Sequence, residues 1–323
     1  MNQVALCFLL STPMTLVAHA GVVQDYPAKP IRLLVPFAPG GSSDIQARII
    51  GQKLTEAWGQ PVIIDSRAGA GGIVAAQLGA HSMPDGYTLF MGHIGTQSAN
   101  PALYRNLPYD PERDFAPVIM TIRQPLILVV PPQLKISTVP QLIALARSQP
   151  AALNYASAGN GSPNHLAAEM FKVMGGVNVT HVPYKGAAPA EIDVMAGRVA
   201  LFFDTMLSAI PFVKDGRLKA LAVTSAARST SMPALPTVAE SGVKGYEFWT
   251  WNGFFVPAGT PAAIIADLNR EIANILNTAE VQRRLTTDGA EIAAGSPQAL
   301  AAYAKGERAK LARVISAAGI RIE

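Results

Sequence analysis

The sequence predicts an α/β protein built from two domains. Short apolar runs that suit buried strands alternate with amphipathic stretches that suit helices, a pattern typical of open α/β sheets. At 323 residues the chain is long enough for two such domains, each with its own core. Residues 115–130 are almost wholly apolar and residues 246–257 are strongly aromatic. We interpret these two segments as the outward and return crossings between the domains.

The two crossings set the predicted domain boundaries. Domain 1 is expected to contain residues 21–122 and 250–323, and domain 2 residues 123–249. Apolar residues spaced three and four apart after the return crossing predict helices that cover domain 1. A hinge within the crossings, near residues 122–124 and 249–251, would let the domains close on a ligand.

The composition excludes several classes of protein. Half of the residues are hydrophobic and 15% are charged, which excludes a disordered chain, and 27 Gly with 25 Pro indicate many turns. The formal net charge of +4 is modest, and Lys and Arg are scattered without interleaved aromatic residues. We therefore expect no nucleic-acid partner, although a mildly positive field would help small anions to approach.

Residues 1–20 have the pattern of a signal peptide. An apolar core is followed by Ala18-His19-Ala20, a small-x-small pattern that predicts export and cleavage near Ala20. A membrane anchor is the alternative, but the interrupted apolar run is shorter than the ~20 residues that a spanning helix needs. The sole cysteine, Cys7, lies in this segment, so the mature chain has no thiol for a disulfide, a metal site or a nucleophile.

Residues 33–44 form the first candidate ligand site. An apolar strand ends at a proline, two glycines permit unusual backbone conformations, and an amphipathic helix follows. Ser43 is the predicted N-cap, and Gln46 completes a capping box. Unpaired backbone N–H groups at such a helix start attract anions. The alternative is an ordinary loop, because Asp44 in the first turn already complements the helix dipole.

The same pattern returns in the second domain. The strand at residues 153–156 ends in a glycine-containing loop, residues 157–161, and Ser162 is the predicted N-cap of a helix with Pro163 at its first position. One such helix start is common. Two of them on different domains would let two helix N-termini converge on one anion across a cleft.

Three further positions bear on the site. The loop after the strand at residues 87–91 carries Thr96 and Ser98, and strand ends in open α/β sheets are where ligands bind. Asp204 ends another apolar strand, where its two possible roles are to cap the next helix or to face a ligand. A glycine-rich loop at residues 69–72 departs from the dinucleotide fingerprint at its third position, so no nucleotide cofactor is expected.

The sequence lacks the motifs of hydrolases and metal enzymes. It has no G-x-S-x-G elbow, no H-E-x-x-H and no pair of histidines at metal-ligand spacing. We therefore predict a protein that is not an enzyme and holds no metal or cofactor. A Ser/His/Asp set could still be assembled by the fold, so a hydrolytic enzyme is kept as the alternative.

Ten segments together resemble one family. They are YPxKPI at 26–31, PFxxGGxxD at 36–44, GAGG at 69–72, DGYTL at 85–89, NPALY at 100–104, HVPYKG at 181–186, FD at 203–204, LAVTS at 221–225, LPTVAE at 235–240 and PAGTP at 257–261. The chain is similar in these segments to the Bug, or tripartite tricarboxylate transporter substrate-binding (TctC), family of extracytoplasmic solute receptors. The resemblance covers essentially all of the mature chain.

The resemblance implies a two-domain periplasmic-binding-protein fold with two crossovers. Its cleft would hold a small carboxylate between loops that correspond to residues 37–44 and 156–162. We therefore predict a monomeric periplasmic protein that captures a small carboxylate, whether dicarboxylate, aromatic acid or amino acid, for the permease subunits of a tripartite tricarboxylate-type transporter. A receptor that reports its ligand to a membrane sensor is a further alternative.

The predicted site has two parts. Backbone N–H groups and the hydroxyls of Ser42, Ser43, Ser157 and Ser162 would hold one carboxylate, and Phe37, Thr96, Ser98 and Asp204 would shape the rest of the pocket. The full set of predicted ligand-binding residues is Phe37, Gly40, Gly41, Ser42, Ser43, Asp44, Thr96, Ser98, Ser157, Ala158, Gly161, Ser162 and Asp204.

Overall fold

The computed structural model describes residues 26–287 and 289–319. Within them, the strands are β1 (Ile31–Val35), β2 (Val62–Ser66), β3 (Thr88–His93), β4 (Phe115–Val130), β5 (Asn154–Ser157), β6 (Thr180–Pro183), β7 (Leu201–Thr205), β8 (Lys219–Val223), β9 (Trp249–Pro257) and β10 (Glu291–Ile292). The predicted signal peptide lies outside the described residues.

The helices alternate with the strands along most of the chain. They are α1 (Ser42–Trp58), α2 (Ile73–Ala80), α3 (Asn100–Leu103), α4 (Val139–Ser148), α5 (Pro163–Gly175), α6 (Ala187–Met195), α7 (Met206–Lys214), α8 (Ala262–Leu276), α9 (Ala279–Thr286) and α10 (Pro297–Ala318). A π-helical turn, Gly95–Ala99, follows β3.

Two long strands, β4 and β9, join the two lobes of the molecule. Lobe 1 holds β1, β2, β3 and β10, and lobe 2 holds β5, β6, β7 and β8. The strand order is β2-β1-β3-β9-β4-β7-β5-β6, with β8 and β10 paired to β4 outside this path. The first part of β4 pairs antiparallel with β9 in lobe 1, and its last part pairs antiparallel with β7 and β8 in lobe 2. The outer pairs of each lobe are parallel. The predicted α/β class with two crossing segments is confirmed, while the exact domain boundaries stay a prediction.

The crossing strand β4 is buried on both faces. Leu126, Leu128 and Val130 point into a core cluster that extends across both lobes, whereas Ile127 and Val129 point into a separate cluster of lobe 2. This alternation follows from the two-residue period of a strand, and burial on both faces explains the continuous apolar sequence. The core therefore runs through the crossing without a break.

The start of α1 differs from the sequence prediction. The helix begins at Ser42 with Gly41 as its N-cap, and no side chain caps it, so the predicted Ser43 N-cap with a Gln46 capping box is wrong. The carboxylate of Asp44 instead accepts the Gly40 N–H (3.0 Å). The amide of Gln46 turns into a buried polar network, because its partners approach from the crossing strands. A local sequence pattern cannot predict partners that lie so far away along the chain.

Candidate functional site

The carboxyl ends of the parallel strands and the starts of four helices surround a cleft between the lobes. Its volume is about 30 Å³. The lining residues are Phe37, Gly41, Ser42, Ser43, His93, Ala158, Pro163, Asn164, Ala187, Thr205, Thr250 and Asn252. This space fits about two water molecules. The lining side chains must therefore shift to accept an acid of several carbons between the closed lobes.

The lobes touch each other around this cleft. The N–H of Ala38 donates to the carbonyl of Lys185 (3.0 Å), and the Tyr104 hydroxyl donates to the carbonyl of Asn160 (3.2 Å). The backbones pack so closely that a Cβ built on Gly71 would lie 1.9 Å from the Asn160 carbonyl oxygen. The structure thus shows the two lobes in a closed arrangement.

Four helix N-termini meet at the cleft. The first residues of α1, α5 and α6 line it, as does Thr205, the N-cap of α7. None of the lining residues is Lys or Arg. The groups of this lining that would attract an anion are therefore helix dipoles and backbone N–H groups, which is the chemistry of an anion site. The sequence predicted that the starts of α1 and α5 bind ligand. It also predicted helix starts at Ala187 and just after Asp204, but it did not place them at the cleft.

The α1 side of the cleft presents two hydroxyls. Ser42 Oγ accepts from the amide nitrogens of Gln46 (3.1 Å) and Gln124 (2.9 Å), and Ser43 Oγ accepts from Asn252 (3.4 Å). Asp44 faces the helix rather than the cleft, since its carboxylate binds the Gly40 N–H and forms an ion pair with Arg48 (2.9 Å). This ion pair raises the pKa of Arg48.

The α5 side holds its glycine loop with two histidines. Ser157 Oγ lies 2.6 Å from His181 Nε2 and accepts the Gly159 N–H, while His165 Nδ1 accepts the Gly161 N–H (3.3 Å). Burial lowers the pKa of His165 to about 4 and that of His181 to about 3, so both rings are neutral. Ser157 is not among the residues that line the cleft; its hydroxyl holds the loop from behind.

Ser162 caps α5 as predicted. Its hydroxyl accepts the N–H of His165 (3.4 Å), and Pro163 follows at the first helical position. The neighbouring residues Pro163 and Asn164 line the cleft, and Asn164 is anchored to the carbonyl of Phe203 (2.7 Å). Whether Ser162 also contacts ligand stays a prediction.

His93 is a cleft residue that sequence reasoning missed. It is fully buried at the end of β3, its ring centre lies 4.9 Å from that of Phe37, and its Nδ1 accepts the Gly95 N–H (3.0 Å). Nε2 therefore carries the proton. Burial lowers the pKa of His93 to about 3, so the ring is neutral. The sequence offered one signal for His93, its position at the end of a strand, which is the reason Thr96 was predicted.

The remaining predicted residues lie behind the lining. Thr96 exchanges hydrogen bonds with the backbone of His93, and Ser98 donates to the carbonyl of Ala304 in α10 (3.1 Å). Asp204 lies fully buried beneath the start of α7, where Oδ1 accepts the Thr205 N–H (2.7 Å). Of the predicted residues, the structure brings Phe37, Gly41, Ser42, Ser43 and Ala158 to the cleft lining.

Asp204 and Glu191 form a buried acid pair. The Glu191 carboxyl raises the pKa of Asp204, whereas the Asp204 carboxyl, as a hydrogen-bond partner, lowers the pKa of Glu191. Burial is the largest cause of the raised pKa of both groups. Two carboxyls in such contact share one proton.

One contact bears on the hydrolase alternative. The Ser157–His181 pair has the spacing of a nucleophile and its base. Within the described residues no carboxylate binds His181, because Glu169, the acid beside it, accepts from Tyr155 (2.5 Å) and Lys172 (2.7 Å). The third member of a triad is therefore lacking in that part of the chain.

A larger concavity lies elsewhere. It is an apolar groove of about 470 Å³ between α5, residues 245–249 and α10. No helix N-terminus opens into it, so we assign the site to the interlobe cleft despite the smaller volume. Within the described ranges, no group of three or more His, Cys, Asp or Glu is placed to hold a metal, and no helix is long and apolar enough to cross a membrane.

This architecture, two α/β lobes that close on a cleft ringed by helix starts, is that of a solute-binding protein. The family model for the tripartite tricarboxylate transporter family receptor, TctC, matches residues 46–320. The chain belongs to this family.

Relatives agree with that membership over nearly the whole chain. Protein BugT of Bordetella pertussis is 35% identical over 321 residues, which cover 98% of each chain. An R. palustris protein solved with adipate is 40% identical, with a TM-score of 0.89 over 92% of this chain and 100% of that one. MatC from Rhodopseudomonas palustris, solved with bound malate, is 33% identical, with a TM-score of 0.87 over 90% and 100%.

Proposed function

We propose that this protein captures a small carboxylate in the cleft between its lobes. The observation that carries the proposal is the convergence of four helix N-termini on a cleft whose lining has no Lys or Arg. Such a site attracts an anion through several backbone N–H groups rather than one cation. Two similar structures were solved with carboxylates, adipate and malate, which supports the same ligand class here.

We further propose that the exported, monomeric protein works in the periplasm. Membership of the TctC receptor family supports delivery of the ligand to the permease subunits of a tripartite tricarboxylate-type transporter. We expect cleavage near Ala20, so the intact mass of the secreted protein should correspond to a chain that starts at Gly21. A mass that includes Met1 would contradict this expectation.

Titration calorimetry tests the ligand class. Adipate, malate, benzoate and glutamate represent the dicarboxylate, aromatic and amino-acid alternatives, and adipamide is the neutral control. We expect saturable binding of at least one acid and none of the diamide, because helix N-termini select a charged oxygen acceptor. Failure of all four acids, or equal binding of adipamide, would overturn the proposal. Turnover of an ester substrate that His181→Ala abolishes would favour the hydrolase instead.

A further inference from the structure

The side-chain amide of Gln124 contacts both lobes. Gln124 is fully buried on β4, where that strand leaves lobe 1, and it pairs with Thr250 of β9. Its Nε2 donates to Ser42 Oγ at the start of α1 (2.9 Å), and its Oε1 accepts the backbone N–H of Leu207 in the first turn of α7 (3.4 Å). Because an N–H can only donate, the Leu207 contact identifies the oxygen end of the amide. One side chain thus joins a helix start of each lobe.

The same amide limits what the Ser42 hydroxyl can do. A hydroxyl oxygen has two acceptor lone pairs, and here Gln124 and Gln46 donate to both. The orientation of Gln46 is also set, because its nitrogen donates to the Ser42 carbonyl (3.2 Å) and its oxygen accepts from Thr121 (3.1 Å). Within residues 26–287 and 289–319 no acceptor for the Ser42 hydroxyl hydrogen is recorded. That hydrogen is left to donate, and Ser42 lines the cleft.

We propose that Gln124 is a positioning residue for ligand capture. With Gln46 it makes Ser42 an obligate hydrogen-bond donor toward the cleft, and through Leu207 it ties the start of α7 to the same point. One side chain therefore both orients the hydroxyl that donates to the ligand and contacts lobe 2 in its closed position. This inference rests on the carboxylate-binding function proposed above.

Gln124→Met tests the tether with little change in volume. It removes both hydrogen bonds, so the Ser42 hydroxyl becomes free to rotate and the Leu207 N–H loses its partner. We expect affinity for the acid that the wild type binds best to fall about tenfold. In the unliganded protein, amide hydrogen exchange at Leu207 should become faster, since that N–H would no longer be bonded to a buried side chain.

Gln124→Glu gives a pH signature that a merely structural role would not produce. Ionised, the new carboxylate would accept the Ser42 hydrogen and repel a bound anion, so affinity at pH 8 should fall about a hundredfold. Protonated, it would present one O–H and one carbonyl in place of the amide. Burial raises the pKa of such a group, so affinity should recover toward the wild-type value at pH 5.5.

Gln97→Met is the matched control. Gln97 is also a buried amide, its side chain has no recorded partner in the described chain, and it contacts neither Ser42 nor α7. This variant should keep wild-type affinity and wild-type exchange at Leu207.

The outcomes separate the two proposals. If the wild type binds none of the four acids, the proposed function fails, and unchanged Leu207 exchange in Gln124→Met would also overturn the tether. If the wild type binds an acid, wild-type affinity in Gln124→Met, or a Gln124→Glu affinity that is equally low at both pH values, overturns the positioning role. If Gln124→Met does not fold, the pH comparison on Gln124→Glu decides alone.

Discussion

The buried pair of Asp204 and Glu191 should make stability depend on pH. The pKa of Asp204 in the folded protein is raised well above its usual value by burial and by Glu191. Above the unfolded pKa of about 4, the folded protein holds a proton that the unfolded chain has released. The free energy of unfolding should therefore fall as pH rises through the folded pKa, by up to about 1.4 kcal/mol per pH unit.

Asp204→Asn should flatten that dependence. The amide keeps an acceptor for the Thr205 N–H and offers a donor to Glu191, so only one ionisable group remains. Urea unfolding between pH 4.5 and 8 measures the slope. Asp193→Asn is the control on α6, because hydrogen bonds from Tyr184 and Arg198 lower the pKa of that carboxyl instead of raising it. Equal slopes in wild type and Asp204→Asn would contradict the shared proton.

The two serine hydroxyls at the helix starts should have different roles. Ser42 lines the cleft and has its hydrogen free to donate, so Ser42→Ala should lose a charge-assisted bond of roughly 1.5–3 kcal/mol, or about tenfold to a hundredfold in affinity. Ser162 caps α5 from behind the lining, so Ser162→Ala should cost about 1 kcal/mol of stability and only a few fold in affinity. Calorimetry beside urea unfolding distinguishes them. A larger loss of affinity in Ser162→Ala than in Ser42→Ala would show that the hydroxyl that donates to the ligand is on α5.

At the scale of elements, Asp44 should stabilise the start of α1. It accepts the Gly40 N–H, and its negative charge lies in the first turn of a 17-residue helix. Asp44→Ala should therefore cost about 1 kcal/mol in the free energy of unfolding. Arg48→Ala removes only the exposed partner of the ion pair and should cost less than about 0.5 kcal/mol. Equal losses in the two variants would show that the ion pair, and not the hydrogen bond to Gly40, is what matters.

The elements were more predictable than their assembly into a site. Alternating apolar and amphipathic runs predicted the crossing strand β4 and the helix starts at residues 42–44 and 162–163, because these signals are local. The polar network could not be predicted in this way. Gln46 is hydrogen-bonded to Asn252, 206 residues away in the sequence, and Gln124 to Ser42, 82 residues away. Such pairs are set by where the crossing strands pass, which no local pattern encodes.

The same limit explains the cleft residues that were missed. His93, Thr250 and Asn252 lie on the adjacent strands β3 and β9, which pair antiparallel with His93 opposite Asn252. Their sequence context is that of ordinary core strands. Only the return of β9 alongside β3 turns the ends of two strands into one wall of the cleft.

At the scale of the whole molecule, closure depends on a close backbone approach between the lobes. Gly71 of lobe 1 has a φ of 59°, and a side chain there would collide with the Asn160 carbonyl of lobe 2. Gly71→Ala should therefore hold the lobes apart without touching the cleft lining. With the wild type, a saturating carboxylate should lower the radius of gyration, because ligand favours the closed state. The variant should remain expanded and bind more weakly.

Gly59→Ala separates this effect from backbone strain. Gly59 has a similar φ of 65°, yet nothing lies within 4 Å of where its Cβ would be. Both variants should lose stability to a similar extent, since alanine is equally disfavoured in the left-handed region. Only Gly71→Ala should lose affinity and the ligand-induced compaction seen by small-angle scattering. Compaction in Gly71→Ala equal to that of Gly59→Ala would mean that the lobes bind ligand without reaching the contact between Gly71 and Asn160.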